Sequence, residues 1–129
     1  MIFGGPLPVP NIVTAIKALD ILQSDAGKQV LQRLWDNTAQ ANNGLLRIGY
    51  ETNGGTTPII IVPVVSLGEL IACCLYCYEH GIYFNPATYP TVPKKHNALR
   101  IVINATHMPE QIDKLTKTLG EFKKGFSPA

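Results

Sequence analysis

Apolar and polar positions alternate most cleanly over residues 97–107. Leu99, Ile101 and Ile103 fall on one side of an extended chain, and Arg100, Val102 and Asn104 on the other. The pattern predicts a strand with one apolar face set on a core and a guanidinium on the opposite face. A planar, permanently charged fork has the shape of a carboxylate receptor. The plainer reading is an arginine on the wet side of a half-buried antiparallel sheet.

Two helical stripes precede this strand. Ile12, Val13, Ile16 and Leu19 form the first; Val30, Leu31, Leu34 and Trp35 form the second, with Thr38 one turn on. Pro8 and Pro10 are expected to keep the entry extended until a helix begins. Ser24 or Asp25 suits the cap of the second helix, and Asn42-Asn43-Gly44 supplies a stop, with Gly44 in the left-handed position. Residues 45–52 form a weaker strand candidate, closed as a hairpin by Asn53-Gly54-Gly55. Residues 58–65 are β-branched and nearly all apolar, which argues for a strand covered on both faces. Pro63 requires an edge or a bulge there.

The clearest helix covers residues 66–80. Ser66 and Glu69 fit a capping box, and Leu67, Leu70, Ile71, Cys74, Leu75 and Tyr78 follow its spacing. Gly81 ends it. Ile82-Tyr83-Phe84 reads as a short strand, and residues 85–93, with three prolines, as a stiff loop. A last helix opens at Pro109 and runs through Ile112, Leu115, Leu119 and Phe122.

This order predicts an α+β two-layer sandwich: a small, mainly antiparallel sheet with helices on one face and Arg100 on the other. Residues 1–10 read as a connector from a large domain upstream, 11–44 as linking helices, 45–124 as a small α/β domain and 125–129 as a frayed tail.

The whole-chain numbers narrow the classes. A length of 129 residues fits one domain with a real core. A net charge of +2 is too weak to suggest nucleic acid or an anionic membrane as partner. The longest apolar run, 58–65, is far too short to span a bilayer, and the first ten residues do not resemble a signal peptide. Cys73, Cys74 and Cys77 share one helix, so a disulfide framework is not expected; a reducing, cytoplasmic compartment is. Asn104-Ala105-Thr106 matches a glycosylation acceptor but carries no weight without a secretory signal.

Few residue groups suggest chemistry. Cys73, Cys77 and His80 share a helix face, yet a structural zinc site needs four ligands, usually from two elements. His96 and His107 are the only additions on offer, and no metal is expected. Buried cysteines that behave as small hydrophobes are the simpler account, and a Cys-His hydrolase is disfavoured because they follow an apolar stripe. Lys94-Lys95-His96 is a basic turn, by default solvated, with a phosphate or acyl-carrier contact as the alternative. Tyr83 and Tyr89 could line a pocket near Arg100, or be ordinary half-buried aromatics. There is no phosphate-binding glycine loop and no paired carboxylate cluster.

Three stretches together resemble part of the α-oxoamine synthases, fold-type I pyridoxal-phosphate enzymes that include 8-amino-7-oxononanoate synthase, glycine C-acetyltransferase, 5-aminolevulinate synthase and serine palmitoyltransferase. They are Ile2-Phe3-Gly4-Gly5-Pro6-Leu7-Pro8, then Thr57-Pro58-Ile59-Ile60-Ile61-Val62-Pro63-Val64, then the run from Gly81-Ile82-Tyr83 through Tyr89-Pro90-Thr91-Val92-Pro93 and Leu99-Arg100-Ile101 to Ala105-Thr106-His107 and Ile112-Asp113-Lys114-Leu115. The resemblance implies the small C-terminal domain of such an enzyme. Its reaction would condense an amino acid, held on pyridoxal phosphate, with an acyl-CoA thioester. An arginine in the position of Arg100 would bind the substrate carboxylate.

The family also implies a homodimer, with Gly4 and Gly5 approaching the cofactor phosphate of the neighbouring subunit. Here glycines stand where the family often has hydroxyls, so backbone N–H groups would have to serve. Met108 replaces a usual capping residue before Pro109. The family's cofactor lysine, its pyridine-pairing aspartate and its stacking aromatic lie upstream of the matched region. None is in this chain, and neither Lys94 nor Lys95 stands in that lysine's place. The chain therefore reads as a fragment with no catalytic residue of its own. It is expected to bind no cofactor alone and to need a large domain as partner. The rival readings are a related aminotransferase or lyase, and a non-catalytic, self-associating interaction module.

Overall fold

A computed structural model describes residues 8–126. Its elements are α1 (Val9–Gln23), α2 (Asp25–Arg47), β1 (Ile59–Pro63), α3 (Leu67–Glu79), β2 (Asn85–Ala87), β3 (Ala98–Val102) and α4 (Pro109–Gly125). The chain divides into two compact units between Arg33 and Leu34.

In the first unit, α1 starts earlier than its two prolines suggest. Pro8 is its N-cap and Pro10 sits in the first turn, where a missing N–H leaves no helical bond unmade. No α1 residue is buried, its Ile12, Val13, Ile16 and Leu19 stripe included. Ser24 caps α2 as expected: its Oγ accepts from Gly27 N–H at 3.2 Å. A Cβ on Gly27 would lie 2.1 Å from the Ile21 carbonyl oxygen, so only glycine lets the chain turn this tightly.

The second unit is α+β, with a three-stranded antiparallel sheet in the order β1-β3-β2. Leu99, Ile101 and Ile103 are buried, as the alternation requires, and β1 adds Ile60 and Val62. Helix α4 closes over them with Ile112, Leu115, Leu119 and Phe122, and α3 with Leu70, Cys73 and Cys77. The later part of α2 contributes Ala41 and Leu45 to the same core. Pro63 ends β1, which is an edge strand, as its missing donor demands. The expected cover on both faces of β1 is incomplete, since Ile59 and Ile61 are only half-buried.

Several expectations are corrected. Residues 45–47 are the end of α2, not a strand, and Leu45 is fully buried in the helical core. Gly44 lies inside that helix; the left-handed glycine beyond its end is Gly49, at φ +82°. No hairpin forms at residues 53–55, although Asn53 does bond the outer edge of β1, its N–H donating to Ile61 O and its Oδ1 accepting from Ile61 N–H. Val30, Leu31 and Trp35 are exposed, so α2 enters the core through Thr38 and Ala41 instead.

The strand expected at residues 82–84 lies at Asn85–Ala87. Pro86 is tolerated there for a geometric reason. Ile103 N–H and Asn97 O bond toward β1, so the odd positions of β3 serve β1 and the even ones serve β2. Pro86 faces Leu99, an odd position, and its missing donor therefore points to the free edge. Helix α3 matches its expected bounds. Ser66 Oγ accepts from Glu69 N–H at 3.1 Å, and Gly81 follows at φ +73°. Its buried side, however, is Leu70, Cys73 and Cys77, leaving Leu67, Ile71, Leu75 and Tyr78 exposed.

Candidate functional site

Arg100 occupies the middle of the middle strand. In register it stands between Ile61 of β1 and Asn85 of β2. Directly opposed residues of an antiparallel pair point to the same face. Arg100 therefore rises from the sheet face that α3 and α4 leave bare, and its side chain is exposed. Its other neighbours there are apolar: Val102 is exposed and Ile59 and Ile61 half-buried. Among the described residues, no acidic side chain pairs with Arg100 and no hydrogen bond holds its guanidinium. The structure thus supplies a charged fork with all its donors free.

Tyr83 is brought to this row. Its Oη donates to Asn85 Oδ1 at 3.0 Å, and Asn85 is the residue opposite Arg100. Tyr89 belongs instead to the basic turn, with its ring 5.4 Å from Lys94 Nζ. Lys94, Lys95 and His96 are all exposed, and Lys95 holds a left-handed backbone at φ +71°. Gly4 and Gly5 lie outside the described residues.

The cysteines are core residues. Cys73 and Cys77 are buried and Cys74 half-buried, all as free thiols. A hydrogen bond with Cys77, and burial, push the Cys73 thiol well above its ordinary value. His80 turns its Nδ1 to Tyr76 O at 2.7 Å, and its ring lies tilted against the Tyr76 ring with centroids 4.3 Å apart. Among the described residues, no group of three His, Cys, Asp or Glu could hold a metal ion.

Sequence reasoning missed the fastening of the segment that follows β3. Asn37, buried on α2, donates through Nδ2 to Asn104 O at 3.0 Å and to His107 O at 2.9 Å. Asn104 Oδ1 accepts from Thr106 N–H, and His107 Nδ1 accepts from Asn104 N–H. The segment is thereby fixed to α2 and leads into α4, where Gln111 Oε1 accepts from Met108 N–H at 2.9 Å, the half of a capping box that needs no hydroxyl.

A cavity of about 260 Å³ lies beside this segment, between residues 81–84, the end of β3 and the first turns of α4. Lys114 gives it an amine and His107 an imidazole, but no carboxylate lines it. A pyridoxal-phosphate site needs a lysine and an aspartate or arginine partner for the ring nitrogen, and neither partner is present here. The lining does not fit that group.

Arg100 thus stands unpaired among the described residues, at the centre of the open sheet face of a small α+β domain. The family model described as aminotransferase class I and II matches residues 1–119, and the chain belongs to that family. Its relatives are α-oxoamine synthases. It is 29% identical over 124 residues to the 8-amino-7-oxononanoate synthase of Thermoanaerobacter pseudethanolicus, a match covering 95% of this chain and 31% of that one. It is 27% identical over 124 residues to the serine palmitoyltransferase of Bacteriovorax stolpii, covering 96% and 29%.

Among solved structures, the serine palmitoyltransferase of Sphingomonas wittichii superposes with a TM-score of 0.80 at 26% identity, covering 95% of this chain and 31% of that one. The 8-amino-7-oxononanoate synthase of Francisella tularensis gives 0.70 at 17%, covering 85% and 31%, and bears on the fold alone. The chain spans about a third of the length of the relatives it matches. No helix among the described residues is long and apolar enough to cross a membrane.

Proposed function

We propose that this chain is the carboxylate-recognising part of a pyridoxal-phosphate-dependent acyl-CoA:amino-acid C-acyltransferase, similar to 8-amino-7-oxononanoate synthase. The observation that carries the reading is the free guanidinium of Arg100, central on the open face of a sheet in a member of this family. Arg100 takes the carboxylate of the amino acid in a two-pronged bond and so fixes which way the α-carbon faces. The apolar neighbours Ile61 and Val102 carry no competing charge. The cofactor and the catalytic lysine reside on a large domain that these residues do not supply, within a cytoplasmic homodimer. Alone, the chain is inactive.

The family model also covers aminotransferases, which use an arginine in the same way and would release no CoA. The test is a chimera in which this chain replaces the matched third of the Thermoanaerobacter pseudethanolicus enzyme. The chimera receives acyl-CoA and single amino acids, and free CoA thiol is followed. Amino-acid-dependent CoA release is the expected result. Keto-acid formation without CoA release would assign the aminotransferase reading instead.

A further inference from the structure

Asn85 and Arg100 face each other across β2 and β3, their side chains on one face and their Cβ atoms about 5 Å apart. The Asn85 amide has one acceptor and two N–H donors. Tyr83 Oη already donates to that acceptor, Oδ1, at 3.0 Å. Oδ1 keeps a second lone pair, yet no hydrogen bond joins it to Arg100, whose polar groups are all donors. The Nδ2 donors of Asn85 and the donors of Arg100 therefore stand side by side. Neither has another partner among the described residues for those donors.

Two adjacent sets of exposed donors with no acceptor between them match a ligand with at least two oxygens. We infer that Asn85, oriented by Tyr83, is a second carboxylate donor beside Arg100. This inference rests on the proposed role of Arg100 and deepens it. The guanidinium provides the charge and one edge of the grip, while the Asn85 amide bonds one carboxylate oxygen from the side. Together they fix where on the sheet face the carboxylate sits, which a lone exposed arginine, on its long side chain, would leave free to swing. Tyr83 is a positioning residue: without its hydroxyl the amide is free to turn, and Oδ1 can be drawn to the guanidinium, closing the site on itself.

The experiment is an NMR titration of the ¹⁵N-labelled 129-residue chain with sodium acetate at constant ionic strength, with sodium chloride as control. The Arg100 Nε–H and Asn85 Nδ2 resonances should move along one binding curve. Asn85→Ala should weaken the Arg100 curve about threefold, and Tyr83→Phe should weaken it while blunting the response of Asn85. Both substitutions are at exposed positions, and a dispersed amide spectrum will confirm that each variant is folded. Movement of Arg100 with Asn85 still, and no effect of Asn85→Ala, would overturn the inference while leaving the role of Arg100 intact. Silence at both residues would overturn the role of Arg100, and the inference with it.

Discussion

A Cβ placed on Gly44 would come within 2.4 Å of Thr116 Cγ2, so α2 and α4 touch at a point where only a hydrogen atom fits. This is why a glycine stands inside a helix whose stop it was expected to be.

Gly44→Ala brings two opposed effects. Alanine favours the helix by about 1 kcal/mol. Overpacking against a branched, half-buried threonine costs about 1–3 kcal/mol. The net expectation is a loss of about 1 kcal/mol in chemical denaturation. Thr116→Ala in the same chain removes the offending methyl and should recover the loss, so non-additivity of the pair is the reading that checks the contact.

Asn37→Ala should cost about 2 kcal/mol, because the Asn104 and His107 carbonyls both lose their donor at a buried site. Asn37→Asp should cost more, since a carboxylate would face two carbonyl oxygens. Amide exchange at residues 104–108 is the direct probe, and it should accelerate in both variants.

Alkaline pH should weaken the fold through Tyr50. Burial, with Cys73, Cys77 and Glu69 nearby, pushes its phenol above the ordinary value near 10. Its Oη also donates to Leu119 O at 3.2 Å, which a phenolate cannot do. Above about pH 10 the unfolded chain loses this proton and the folded one keeps it, so stability falls as pH rises. Below that pH the contribution is fully present. Tyr50→Phe retains the ring beneath Lys123 Nζ, 4.6 Å away, and should flatten the alkaline limb of a stability–pH profile.

Thiol labelling of the native chain at neutral pH should modify Cys74 first. It is half-buried, whereas Cys73 and Cys77 are 2% and 0% exposed. Counting the modified thiols by mass spectrometry before and after unfolding should give one and then three.

The parts of the fold visible in the sequence were those where a single element decides its own pattern. Residues 97–107 alternate because one face of β3 is packed and the other is bare, and Ser66 with Gly81 bounds α3 through local bonds. Where a partner element decides, the sequence misled. Gly44 resembles a helix stop until Thr116 is seen against it. Aromatic and β-branched propensity favoured residues 82–84 for the strand, but pairing with β3 chose Asn85–Ala87. Both sides of α3 are apolar, so spacing alone could not say that Cys73 and Cys77 face inward while Ile71 and Leu75 face out.

The candidate site divides in the same way. Arg100 was legible because its face follows from strand alternation. Asn85 was not, since its place opposite Arg100 is a matter of register between strands separated by the loop of residues 88–97. Tyr83 and Tyr89 read alike in sequence; only the hydrogen bond to Asn85 and the contact with Lys94 separate them.

The chimera described above allows the central claim to be measured as the KM for the amino acid in Arg100→Ala and Lys95→Ala side by side. Both residues are exposed cations, so a general loss of charge affects them equally. If Arg100 grips the carboxylate, its removal should raise KM by about tenfold or more, as expected for a lost charge-assisted bond, with Lys95→Ala near unity. Equal and small changes in the two variants would contradict the account.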